Sequence, residues 1–142
     1  MTMKLKSALH YFSKKPGTLF LLDGLGAALT ALSLFFVLRP YCNAIGMPVN
    51  ILSCLSLIGL CYCAYSMSCY VLLKDRWTGF LRIIGFGNLL YCLLTMIFLT
   101  VYYKDLTPLG LIYFLGEILI ILLLVYIELS VATLLRTRKG NF

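Results

Sequence analysis

Three acids fall inside long apolar stretches of this sequence: Asp23, Glu117 and Glu128. Carboxylates in such surroundings are rare and expensive, and they usually face a bundle interior or water, where they pair or handle ions. With a helical rise of about 1.5 Å per residue, Asp23 sits roughly 8 Å in from one end of its stretch. Glu128 sits roughly 10 Å in from the same side, and Glu117 lies close to mid-depth. Glu117 and Glu128 are separated by a multiple of the helical repeat that places them within about 20° of one face, roughly 16 Å apart along the axis. That is too far for strong mutual influence, but it suits two stations on one path.

Asp23 shares its helix face with Ala27, Thr30 and Leu34. Small residues there let another helix approach, so Asp23 is expected to point inward. In the third stretch Asn88, Cys92 and Thr95 make a polar stripe, with Gly85 beside it. The expectation is that Asp23, Asn88, Glu117 and Glu128 converge and line a polar cavity open toward the cytoplasm. A carboxyl in that position can load and release a proton or a cation. Each residue also has a plainer role. Asp23 could pair with Lys14 or Lys15 or cap local backbone. Glu128 could form an ion pair with Arg82, which lies about 120° from Asn88 around its helix. Asn88 could be an interhelical hydrogen-bond donor. Glu117 has no basic residue at its depth, which makes it the hardest to explain structurally.

The elements that must position these residues are four apolar stretches, at 18–38, 49–73, 79–103 and 108–135. Each reaches the roughly 20 residues needed to span a bilayer as a helix. Charged or turn-forming residues close each one: Arg39-Pro40, Lys74-Asp75-Arg76, Lys104-Asp105 and Arg136. Pro108 suits a first helical turn. The first stretch is too long for the 7–15-residue core of a signal peptide and is read as a retained helix. The fold expected is all-α: a polytopic, four-helix transmembrane bundle with antiparallel neighbours.

Bulk composition agrees. Hydrophobic residues make up 62% of the chain and charged residues 12%, against roughly 45–50% and 25% in soluble domains. Ten of the twelve Lys and Arg residues fall on one side of the four stretches, and only Arg39 and Lys104 on the other. The more basic side is expected to be cytoplasmic, which puts both termini in (N-in, C-in). Tyr41, Tyr102, Tyr103 and Tyr113 near one boundary and Trp77 at the other suit the aromatic belts of a membrane. The net charge of +7 is thus assigned to topology and to anionic lipid. Nucleic acid is not expected as a partner, since no soluble face carries a basic patch.

Residues 1–17 carry Leu5, Ala8, Leu9 and Phe12 at helical spacing beside Lys4, Lys6, Lys14 and Lys15. They read either as an amphipathic helix on the cytoplasmic leaflet or as a basic tail serving topology alone. Residues 136–142 read as a basic cytoplasmic tail. The six cysteines are mostly inside apolar stretches, where they act as small hydrophobes. Cys61 and Cys63 point about 200° apart on a helix and cannot share a metal. No metal or cofactor site is expected.

No catalytic constellation emerges, because the only histidine, His10, lies outside the bundle. An enzyme is not expected, although a lipid-modifying activity stays open. The leading expectation is a non-catalytic membrane subunit or scaffold that binds partner helices. The alternative is a small oligomeric proton- or cation-coupled carrier. Either would sit in a cell inner membrane or plasma membrane. It would contact membrane lipids and assemble as a homo-oligomer or with a partner membrane protein.

Overall fold

The computed structural model describes residues 2–74 and 77–140. Asp75 and Arg76, counted above among the loop charges, lie outside the described residues, as do Met1, Asn141, Phe142 and the side chains of Thr2, Lys4, Leu5, Arg138 and Lys139.

The chain is helical over 88% of its length, with no strand among the described residues. Helix α1 is Thr2–Lys14 and α2 is Gly17–Leu32, continued by a π-helical segment at Ser33–Leu38. A short α3 (Cys42–Ile45) leads to α4 (Val49–Leu72), α5 (Trp77–Val101) and α6 (Pro108–Gly140). Four helices are long and apolar enough to cross a membrane: Gly17–Leu38, Val49–Leu72, Trp77–Val101 and Pro108–Thr137. The widened turn at the end of α2 precedes Pro40, which has no N–H to continue the α-helical ladder. There Arg39 N donates to Leu34 O at 2.9 Å, an i→i+5 bond, and the Arg39 guanidinium stacks 4.7 Å from the Phe35 ring centroid.

The bundle is built from two antiparallel hairpins, with α2 packed along α4 and α5 along α6. Contact between α2 and α6 is slight. The hairpins are joined at one end by their loops. Thr107 caps α6, accepting from Gly110 N at 3.2 Å, ahead of Pro108 at the first helical position. Its hydroxyl donates across to Ala44 O at 2.6 Å, and its N–H donates to Ile45 O at 3.1 Å. This crossing is close enough that glycine is required on both sides. Gly46 ends α3 with φ of 78°, and a Cβ there would overlap the Asp105 carbonyl. A Cβ at Gly110 would overlap the Ile45 carbonyl.

At the opposite end, which carries both termini, α1 lies against α6. Its Leu9 and Phe12 pack on a buried cluster that includes Leu19, Phe20, Leu81 and Val131. The N-terminal segment is therefore a helix docked on the bundle. Lys6, Lys14 and Lys15 are exposed on it. A second apolar cluster, with Leu34, Leu52, Leu99 and Phe114, fills the looped end. A polar layer separates the two clusters.

Replacing Gly46 by Ala tests the loop crossing, since it forces a left-handed residue and a backbone overlap together. The variant is expected to lose about 1–3 kcal/mol, the scale of such strain, read as a lowered thermal midpoint in lipid nanodiscs. An unchanged midpoint would remove the crossing as a fixed point of the fold.

Candidate functional site

The polar layer is centred on Asp23 of α2, which is 3% exposed. Asn88 of α5 donates its Nδ2 to Asp23 Oδ1 at 2.6 Å, and Ser66 of α4 donates its hydroxyl to Oδ2. One carboxylate thereby ties three helices. Close approach at this level is helped by Gly24, where a Cβ would overlap Met67 of α4. Tyr62 of α4 adds a further link, donating to Gly87 O of α5 at 2.8 Å. Lys14 and Lys15 are exposed and make no pair with Asp23, whose two oxygens are occupied by Asn88 and Ser66.

Glu117 projects from α6 toward Tyr91, on the loop side of this layer, and is 9% exposed. The Tyr91 hydroxyl of α5 donates to its Oε1 at 3.0 Å. Its Oε2 is buried with no hydrogen-bond partner. Thr30 of α2 faces the same carboxyl without closing a hydrogen bond to Oε2. Glu128, lower on α6, is fully buried, and neither of its oxygens has a partner. It occupies space left by Gly85 of α5, where a Cβ would stand 3.5 Å from Glu128 Oε2. Arg82 is half-buried on α5 and forms no bond to Glu128.

Because α2 and α6 scarcely touch, a cleft of about 450 Å³ remains between them. Asp23, Asn88 and Glu117 all line it, together with Thr30, Tyr62, Tyr91 and Tyr113. Glu128 does not reach it. The walls are mainly apolar. Its lips are Leu29, Ile112 and Ile120, which are 68%, 71% and 70% exposed. The opening is thus on the flank of the bundle. The sequence suggested an opening at the end that carries the termini, but there α1 and the Leu19–Phe20 cluster fill the space. A second recess on the other side of α2 is walled by Ala28, Phe35, Phe36, Leu57 and Leu60. Its buried hydroxyl, Ser56, is committed to Ala31 O at 2.8 Å.

Ser66 and Tyr91 are the partners that inspection of the acids missed. Tyr91 carried a usable signal: it is three residues from Asn88 and so neighbours it on the helix surface. Ser66 carried none, because its pairing with Asp23 joins positions 43 apart in the chain. Set against known protein families, curated proteins and solved structures, the chain matches none.

The chemistry available in the cleft is one-sided. No Lys, Arg or His lines it, and the Tyr62 and Tyr91 hydroxyls already donate elsewhere. The Thr30, Ser33 and Tyr113 hydroxyls also line it, and the buried atom there that lacks a partner is an acceptor, Glu117 Oε2. Asp23, by contrast, is satisfied and structural. Asn88→Leu is expected to lower stability in nanodiscs by about 1–2 kcal/mol, the scale of an interhelical hydrogen bond in a membrane setting. A thermal midpoint equal to that of the unmodified protein would refute the tie between α2 and α5.

Proposed function

We propose that this chain is a small carrier in a cell inner or plasma membrane, with both termini on the cytoplasmic side, and that Glu117 exchanges a proton for a cation. The observation that carries this reading is the unpartnered Glu117 Oε2, nine-tenths buried on the wall of a cleft. A carboxyl in an apolar interior avoids an isolated charge in one of two ways: by holding a proton or by pairing with a cation. A group with access to both states can exchange one for the other. The ten-to-two split of basic residues supports the orientation. The exposed Lys6, Lys14 and Lys15 would suit a surface of anionic lipid.

The scaffold reading keeps one observation of its own. Gly26 on α2 and Gly116 on α6 flank the cleft, and neither would meet anything within 4 Å if given a Cβ. Small residues of this kind are where a partner helix or a second copy would approach. It leaves the orphaned oxygen of Glu117 without a use, so the carrier reading is preferred.

The test is cation-driven proton movement in proteoliposomes that carry an internal pH dye and an imposed pH gradient. Sodium, potassium and hydrophobic ammonium ions are added in turn. At least one is expected to discharge the gradient faster than in protein-free vesicles, and Glu117→Gln is expected to abolish that difference. No protein-dependent discharge with any of these cations, or equal discharge by the Gln variant, would overturn the proposal.

A further inference from the structure

Resting on that reading, we infer that the cation held by the cleft is a hydrophobic ammonium: an apolar body with an amine that enters sideways between α2 and α6 and is protonated beside Glu117. The entrance indicates the route. The cleft opens between Leu29, Ile112 and Ile120 on the outer flank, while both ends of the bundle are closed, by α1 at one and by the loop crossing at the other. A ligand that enters there arrives from the apolar phase, so it must carry an apolar body of its own. The mainly apolar walls match such a body, and about 450 Å³ falls within the roughly 300–1,000 Å³ of small-molecule sites.

The polar end of the ligand follows from what the cleft lacks. With no basic residue lining it, a phosphate or carboxylate head would be left uncompensated at depth. The unsatisfied group is an acceptor, so the head must donate a hydrogen bond. The ionisable groups around Glu117 are Asp23 from α2, Tyr62 from α4, Tyr91 and Cys92 from α5, and Tyr113 from its own helix. None brings a positive charge, so an ionised Glu117 is balanced only by a cationic head. The three tyrosines add ring faces suited to an ammonium. The amine leaves its proton in water at the membrane surface, enters neutral through the apolar phase, and takes the proton of the Glu117 carboxyl. One N–H bond breaks at the surface and another forms in the cleft as the carboxyl O–H bond breaks, so one proton is released to water for each ammonium bound at Glu117 Oε2. Exit reverses both transfers.

The experiment is equilibrium dialysis of dodecylammonium against the protein in zwitterionic nanodiscs, with empty nanodiscs as the partition control. Proton release is read in parallel in weakly buffered solution. Expected are saturable protein-dependent binding, proton release that tracks occupancy, and competition by neither dodecanol nor laurate. Glu117→Gln should weaken binding by about thirtyfold or more, as expected when one partner of a buried charge pair is removed. Gly116→Leu fills the mouth from a position with open space around it, leaves the carboxyl intact, and should block binding while keeping the thermal midpoint. Equal competition by dodecanol would overturn the ammonium assignment, as would full binding in Gly116→Leu. Sodium- or potassium-driven proton movement without dodecylammonium binding would overturn this inference and leave the carrier standing. Loss of both would remove the carrier as well.

Discussion

A carboxylate buried inside an apolar bundle has to find donors, and Asp23 finds them on two other helices at once. Ser66 of α4 and Asn88 of α5 close on its two oxygens, so α2, α4 and α5 are fixed in register at one level. The rest of the arrangement follows from that level. One apolar cluster fills the space toward the loops and another fills the space toward the termini. Helix α6 is held to α5, against which Tyr91 meets Glu117, and not to α2. The seam between α2 and α6 is left open by that asymmetry, and the cleft is the result.

The three buried acids consequently have different standing. Asp23 has both oxygens satisfied and acts as a joint. Glu117 has one satisfied oxygen and one with no hydrogen-bond partner. Glu128 has none satisfied and sits outside the cleft, in a pocket made by Gly85. Unpaired buried carboxyls weaken a fold, because desolvation is not offset by a hydrogen bond or a counter-charge. Native chains tolerate such groups where function draws on them. Glu117 has access to a void and Glu128 does not, so the chemistry is assigned to Glu117.

Much of the architecture was legible in the sequence, since four apolar runs of spanning length are a bulk signal that needs no side-chain detail. The inward face of α2 was legible as well, from Asp23 and Leu34 at helical spacing, and so was the shared face of Glu117 and Glu128. The polar stripe of Asn88, Cys92 and Thr95 also lies inside, all three being buried. What could not be read was which helices touch. Helical periodicity gives a face but not a neighbour, so the pairing of Ser66 with Asp23 and the gap between α2 and α6 stayed hidden. For the same reason Arg82 looked like a partner for Glu128 by depth alone, although the two are not joined. The loop crossing at Thr107 was hidden too, since its glycines at 46 and 110 are demanded by a contact between segments more than 60 residues apart.

The central claim is that the Glu117–Tyr91 pair is kept for ligand handling and not for folding. Its most direct test is the thermal stability in nanodiscs of Tyr91→Phe combined with Glu117→Leu, which removes both polar partners and leaves no orphaned hydroxyl. Replacing both members of a buried polar pair by apolar groups of similar shape is near neutral or stabilising when the fold does not need them. The account predicts a midpoint at or above that of the unmodified protein. A loss of about 2 kcal/mol or more, beyond the roughly 1–2 kcal/mol of one interhelical bond in a membrane, would mean that the pair holds the bundle together, and would contradict the claim.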